Sequence, residues 1–252
     1  MKNRSQWLKG LIVIILVMLV ALVAGAYHAL TSQPKGPLRQ LPIGQIALDS
    51  TEGRRLLKES RAKAMFERLI NALQTQKRPA YCGVASSVST LNTLLPSKKV
   101  TQESFFTKDA SKVVSSFWVT LRGMTLDELT GLLKSYKLQV DQHFASSSSL
   151  KSFRKLAVER LKKEGNIVVL AYSRKKLNQK GAGHISPLGA YHAKSDRFLV
   201  LDVASYKYPP HWVKAKKLWE AINTVDSSTN KTRGFVLVSS KTSNGKRRRA
   251  AK

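Results

Sequence analysis

Cysteine is nearly missing from this chain: Cys82 is the single one in 252 residues. A lone cysteine excludes an internal disulfide and every metal site built on a cysteine cluster. Acid is scarce as well, with 15 Asp and Glu against 44 Lys and Arg and a formal charge of +29. That imbalance suits a nucleic-acid binder, a membrane-surface protein or an enzyme for anionic substrates, and does not choose among them. Internal repeats are absent, and low complexity is confined to the four serines at 146–149, which read as a loop and cap. What is present is enough apolar material, 42% of the residues, to exclude a disordered basic tail protein. The length suits one domain or two small ones.

Charge is also missing from one long stretch. Lys2, Arg4 and Lys9 precede an uncharged apolar run from Gly10 to about Tyr27 that has no polar face. Its densest part, residues 11–23, has signal-peptide length, and Ala24-Gly25-Ala26 resembles a small-residue cleavage site. The whole run is near the roughly 18 residues at which a transmembrane helix becomes plausible. Residues 1–30 are therefore expected to be a signal peptide or an N-terminal transmembrane anchor. In either case the leading positive residues stay cytoplasmic and the rest crosses, periplasmic or facing the periplasm. Three positive charges lie in residues 1–26 and six in residues 241–252; those nine removed from +29 leave +20 on the body. The tail, residues 241–252, reads as a solvated, disordered end.

Residues 31–45, with Pro34, Pro37 and Pro42, read as a linker, and residues 46–240 as one folded domain. Asp49 with Glu52 makes a capping-box start. Leu56, Leu57, Met65, Phe66, Leu69, Ile70 and Leu73 then recur at helical spacing. A second helix runs from Cys82 to about Leu95, stopped by Pro96; a third is capped by Thr125 with Glu128; a fourth, basic one spans 150–164. Short strands follow at 167–172, 184–191, 198–203 and 235–238, interrupted by a helix over about 213–223. A hairpin at Lys194-Ser195-Asp196 makes the sheet antiparallel. Helices first and sheet second is an α+β fold whose helical half packs on an antiparallel sheet half.

Cys82 opens a helix, where free N–H groups and the positive dipole end favour a thiolate. Such placement can bring a thiol pKa from about 8.5 to roughly 3.5–7.5, although a small buried hydrophobe is the commoner role for an unpaired cysteine. A thiol nucleophile needs a base, and the base an orienting acceptor. Of five histidines, His28 belongs to the leading segment, His143 has no motif around it, and His184 sits among small residues in Gly181-Ala182-Gly183-His184-Ile185-Ser186-Pro187. Asp202, inside the apolar run Leu199-Val200-Leu201-Asp202-Val203, needs a paired donor. A structural His–Asp pair is the blander account, and His192 competes for either role. Gln76, six residues before Cys82, can offer an amide to an oxyanion hole beside the Cys82 N–H, or be an ordinary loop residue.

Three stretches together resemble the phytochelatin synthase family: Pro79-Ala80-Tyr81-Cys82-Gly83-Val84-Ala85-Ser86, then Gly183-His184-Ile185-Ser186-Pro187-Leu188-Gly189-Ala190-Tyr191-His192, then Leu201-Asp202-Val203-Ala204 with Lys207-Tyr208-Pro209-Pro210-His211-Trp212-Val213. The match covers about residues 46–239. It implies a papain-like cysteine-peptidase fold, with Cys82, His184 and Asp202 on the triad positions and Gln76 on the oxyanion glutamine. Arg233, in Thr232-Arg233-Gly234-Phe235, resembles the arginine that meets a substrate carboxylate, a task a guanidinium does bidentately. Gly183 belongs to the substrate-binding stretch.

Ser205 stands where the family usually has arginine, Ala171 replaces a polar residue, and the Cys-rich C-terminal region of plant members has no counterpart in this sequence. The activity implied is cleavage of the Cys–Gly amide of glutathione through a γ-Glu-Cys acyl-enzyme, released to water or passed to a second glutathione. Short bacterial-type members favour hydrolysis. No cofactor and no resident metal are required; a heavy-metal ion enters bound to substrate thiolates. Glutathione is the expected partner, with a membrane reached through the N-terminal segment and nucleic acid not expected. The alternatives are a papain-like peptidase for other small peptides and a non-catalytic basic protein binding anionic lipid or nucleic acid.

Overall fold

A computed structural model describes residues 2–240 of the chain, with side chains from residue 6 onward. The expected basic tail at 241–252 lies outside the described residues. The apolar N-terminal run is one helix, α1 (Lys2–Thr31). Within it the segment Gln6–Thr31 has a mean hydropathy of 2.8 and is long and apolar enough to cross a membrane. Irregular chain then leads to β1 (Ile46–Ala47), α2 (Thr51–Glu59), α3 (Phe66–Asn71) and α4 (Cys82–Leu94). Next come α5 (Lys108–Ser111), α6 (Ser116–Arg122), α7 (Leu126–Ser135), β2 (Gln139–Phe144) and α8 (Leu150–Leu161). The rest is β3 (Asn166–Ser173), β4 (Gly183–His192), β5 (Arg197–Val200), β6 (His211–Lys214), α9 (Ala215–Ile222), β7 (Val225–Asp226), β8 (Lys231–Thr232) and β9 (Gly234–Ser239).

Seven strands form one antiparallel sheet in the order β1-β6-β5-β4-β3-β9-β2, and β7 with β8 make a separate small ribbon. β3 shows how the sheet is placed. Ile167, Val169 and Ala171 enter one core with α2, α3, α4 and α7, while Val168, Leu170 and Tyr172 enter another with α8 and α9. That period-two alternation of wholly apolar residues is what a strand covered on both faces requires. The fold is α+β as expected, but helices cover both faces of the sheet, and β1 and β2 come from the half of the chain that reads as helical.

Several local expectations are corrected. Ser50, not Asp49, caps α2 by accepting from the Gly53 N–H. The apolar series from Leu56 to Leu73 is two helices, because Ala62 leaves helical geometry to bridge to Tyr191. The basic helix stops at Leu161, and the strand expected to reach 203 stops at Val200. The helix expected from 213 begins at Ala215, since Val213 is still pairing with Phe198. Other expectations hold: Thr125 and Glu128 form a complete capping box, Ser149 caps α8, α4 ends just before Pro96, and Asp196 takes φ +48° in the β4–β5 turn.

α4 is the central helix. It is buried along nearly its whole length and lies across β4, where the Ser86 hydroxyl donates to the Ile185 carbonyl at 2.9 Å. Ser89, Thr90 and Thr93 return their hydroxyls to carbonyls four residues back. A helix this polar in composition can therefore sit in a core without orphaned donors at those positions.

Candidate active site

The N-terminus of α4, the start of β4 and the chain just past β5 meet at one cleft of about 370 Å³. Cys82 enters as the first residue of α4. Tyr81 offers no side-chain cap, so the first N–H groups of the helix have no side-chain acceptor there. Gly83 is required by closeness: a Cβ there would stand 2.8 Å from the Met124 sulfur and 3.2 Å from Ile185. The helix end can thus press against β4 and bring the thiol to the sheet. The residue as a whole is only partly buried, but its thiol is turned inward away from solvent.

His184 is the second residue of β4, paired with Tyr172 across β3, and the Tyr172 ring stands edge-on to the imidazole. Asp202 lies two residues beyond β5, where the Leu201 N–H still donates to the Pro187 carbonyl and keeps the chain alongside β4. Both side chains are buried, and His184 Nε2 meets Asp202 Oδ1 at 2.9 Å. Since Nε2 is engaged there, Nδ1 is the ring nitrogen left for a reacting group.

Asp202 has a second partner that sequence reasoning did not single out. The Arg174 guanidinium, only 2% exposed, donates to the same Oδ1 at 2.8 Å, and the Ala204 N–H adds a third bond at 2.9 Å. Arg174 is fixed in turn by Gln179 Oε1 at 2.7 Å and lies over the Tyr208 ring. Gln179 continues the chain of contacts to His211 and to Gln45 of the linker, both at 2.9 Å. The expected His–Asp pair is thus one part of a three-residue cluster, in which Arg174 supplies the cation that balances Asp202.

That third member sets the protonation states. Burial raises the Asp202 carboxyl, but His184 and Arg174 outweigh it and hold the group well below the usual carboxylate range. Burial and the Arg174 charge together hold His184 down to about 4, against the opposing pull of Asp202. Burial pushes the Cys82 thiol up, opposed by the Ile185 N–H, the Arg174 charge and the Gly83 N–H. Desolvation therefore beats the helix dipole, contrary to the thiolate expected from position alone. The resting state is a neutral thiol and a neutral imidazole that line the same cleft.

Gln76 lines the cleft, but both its amide hydrogens are committed, to the carbonyls of Arg78 at 2.9 Å and Pro79 at 2.8 Å. Its Oε1 is buried without a partner. Its present work is to latch the loop that delivers Cys82. Arg233 and Gly183 meet directly: a Cβ on Gly183 would stand 3.0 Å from Arg233 Nη2 and 3.3 Å from Nε. The other terminal nitrogen, Nη1, is anchored by Thr224 and the Val225 carbonyl, and among the described residues no carboxylate pairs with Arg233. Lys207 also lines the cleft, its ammonium pushed down by burial and then by Arg174. His143 and His192 lie elsewhere. His143 stacks on Phe235, and His192 binds Glu59 and Ser195 at the far end of β4. Among the described residues no cluster of three or more His, Cys, Asp or Glu side chains converges on a metal position.

Arg174 was hidden for a physical reason. In the sequence it is one of ten basic residues within 151–180, and only its long-range partners make it different. The one local signal is its position directly after an apolar strand, where a charge must find a buried partner or turn outward.

A thiol at a helix end, an imidazole with one free nitrogen and, among the described residues, cations without an acidic partner in one cleft are the groups that acyl transfer from an anionic amide would need. The comparisons narrow that class. Residues 37–235 match the phytochelatin synthase family model, and the chain belongs to that family. It is 36% identical over 228 residues to glutathione gamma-glutamylcysteinyltransferase 1 of Lotus japonicus, covering 86% of this chain and 43% of that one. Against the Arabidopsis thaliana protein of the same name it is 37% identical over 201 residues, 77% of this chain and 41% of that one. The Schizosaccharomyces pombe glutathione gamma-glutamylcysteinyltransferase is 31% identical over 210 residues, 79% and 50% respectively. The chain thus spans about half, or less, of the length of these curated relatives.

Proposed function

We propose that this protein cleaves the Cys–Gly amide of glutathione through a γ-glutamylcysteinyl acyl-enzyme on Cys82. The observation that carries the reading is the convergence, in one cleft, of Cys82 and His184 with an arginine that has no acidic partner among the described residues. The proton begins on sulfur. As substrate enters, His184 Nδ1 takes it and the thiolate attacks the scissile carbonyl. N–H groups at the start of α4 receive the oxyanion; Gln76 joins them when one of its hydrogens leaves a loop carbonyl. His184 then protonates the departing glycine nitrogen, while Asp202 fixes the ring by holding Nε2. Arg233 takes a substrate carboxylate, with Gly183 leaving room for the guanidinium. Water releases γ-Glu-Cys, or a second glutathione accepts the acyl group and yields phytochelatin. Ser205 hydrogen-bonds to Thr75 instead of supplying a cation at the cleft, which favours water over a second anionic thiol. A heavy-metal ion enters this scheme as part of a substrate thiolate complex.

The fold is read as papain-like, because a thiol helix packs across a sheet that supplies base and carboxylate. The helix Gln6–Thr31 is read as a retained membrane span, which leaves the catalytic domain on the periplasmic side. The decisive measurement is product mass after incubating the full chain, in detergent, with glutathione. Glycine and γ-Glu-Cys are expected, with phytochelatin a minor product, and all are lost in Cys82→Ser. A folded wild-type sample that releases no glycine defeats the assignment.

A further inference from the structure

The largest apolar surface that neither core absorbs lies on two elements that touch. α1 is bare along its membrane-length segment. Its last turn, at Tyr27, Leu30 and Thr31, rests in a groove whose other wall is Phe117 and Leu121 of α6. On that short helix Phe117 is 61% exposed, Trp118 53% and Leu121 44%, with the two aromatic rings packed edge to face. Three large apolar side chains facing solvent on one seven-residue helix is costly unless something covers them.

The position of α1 identifies the cover. A span of 26 residues at about 1.5 Å rise per residue exceeds the ~30 Å hydrocarbon core, so its C-terminal end reaches the interface. That end is the end against α6. Phe117 and Trp118 therefore stand at the depth where aromatic side chains collect at a membrane surface. The basic body, with most of the +29 formal charge, meets an anionic headgroup layer favourably. Covering by a soluble partner would have to occupy the space the bilayer around α1 already fills.

We propose that the Phe117, Trp118 and Leu121 face of α6 docks the catalytic domain onto the outer leaflet of the same bilayer that α1 crosses. The inference rests on α1 being a retained span. It carries a consequence for the site, because α6 runs directly into the cleft wall. Arg122, its last residue, lines the cleft with Gly123 and Met124, and Thr120 bonds to Arg78 in the loop that Gln76 latches. Seating α6 sets the cleft mouth beside the lipid headgroups rather than facing bulk solvent.

The test uses the full chain reconstituted in vesicles of phosphatidylethanolamine and phosphatidylglycerol, with part of the lipid carrying bromine on the acyl chain. Trp7 lies in the spanning segment, so Trp7→Phe is the background, and Trp118→Phe is added to it as the conservative control. Brominated lipid is expected to remove roughly half of the Trp118 emission in the first variant, with bromine near the headgroup more effective than bromine deep in the chain. The double variant loses this quenching. Equal fractional quenching of the two variants, which both keep Trp212 and Trp219, in a chain that resists alkaline extraction overturns the docking and leaves the span intact. A chain released by alkaline extraction defeats the span reading, and this inference with it. Trp118 that ignores brominated lipid but becomes shielded from acrylamide as protein density rises assigns the face to a second copy of the chain, and also overturns the proposal.

Discussion

β4 carries a histidine paired with a carboxylate at each end, and the two pairs differ in every respect that matters to catalysis. At the start of the strand, His184 meets Asp202, wholly buried, and Nδ1 has no protein partner among the described residues. At the end, His192 meets Glu59 at 3.0 Å and Ser195 at 2.8 Å, so both ring nitrogens are engaged, and Glu59 is 40% exposed. A bulge at Gly189 separates them. Leu188 and Ala190, two residues apart, pack into opposite cores, so the alternation shifts by one along the strand. Nearness of a carboxylate is common to both pairs. His192 and Glu59 also line a pocket, but a free ring nitrogen, a thiol across the cleft and a buried charge balance belong to the first pair alone.

The largest effect expected is therefore asymmetric between two substitutions of one kind. His184→Ala should lower kcat for glutathione cleavage by about 10³-fold or more, and Cys82→Ser at least as far. His192→Ala should leave kcat within about threefold, because its ring does no proton transfer in the cleft. Steady-state glycine release measures both; a large loss on His192→Ala would erase the distinction. The carboxylates follow. Asp202→Asn keeps the shape but makes the group a poorer partner for Nε2 and Arg174, and a kcat loss on the order of 10²- to 10⁴-fold is expected. Glu59→Gln, a substitution at a solvent-exposed carboxylate, should change both kcat and stability little. Thermal melts alongside the rates check both halves.

The first pair was legible in the sequence, and what supports it was not. Cys82, His184 and Asp202 each sit in a contiguous run of unusual residues, a small-residue turn or an acid inside a strand, so local reading finds them. Arg174 becomes visible only through Asp202 and Gln179, 28 and five residues away. The same limit explains the fold. Where the signal is complete within a few residues, as in the Thr125 and Glu128 box, sequence and structure agree. The break between α2 and α3 depends on Ala62 pairing with Tyr191, and the polar strand β2 exists because β9 offers it an edge. Gln76 was found by position, yet its amide is turned to the Arg78 and Pro79 carbonyls, a choice made by loop geometry rather than residue type.

Arg174→Met sharpens the comparison by making the two pairs alike, each a histidine with one carboxylate. Arg174 holds His184 down, so its removal raises the imidazole pKa. The acid limb of kcat/KM, set by His184 near 4 in the native protein, should move upward, and activity at pH 5 should fall more than at pH 8. Breaking a buried ion pair also leaves Asp202 short of one donor, a loss of about 3–5 kcal/mol that a melt will show. An unmoved acid limb in a folded variant would mean that Arg174 is only a strut. The native protein has its own pH signature. His184 is lowered from 6.5 to about 4 on folding, so the unfolded chain binds the extra proton between those values. This contribution to stability should be complete above about pH 6.5 and decline as pH falls toward 4, with Asp202, lowered from 3.8, extending the loss below that; thermal melts across this range check it.

The smallest effect expected separates binding from chemistry at the residue beside His184. Arg233→Ala removes the cation proposed to hold a substrate carboxylate and should raise KM about 10- to 100-fold with kcat largely kept, the size of a charge-assisted hydrogen bond. Gly183→Ala tests the same contact from the other side. Its Cβ would crowd Arg233 Nη2 at 3.0 Å, and a flexible guanidinium can yield by a few tenths of an ångström, so the strand should survive. The expected result is a KM increase of about 2- to 5-fold, nearly unchanged kcat, and no further effect when combined with Arg233→Ala. If Gly183→Ala lowered kcat instead, and still did so in the Arg233→Ala background, the methyl would be displacing His184 along β4. The glycine would then belong to the histidine–carboxylate pair and not to the carboxylate pocket.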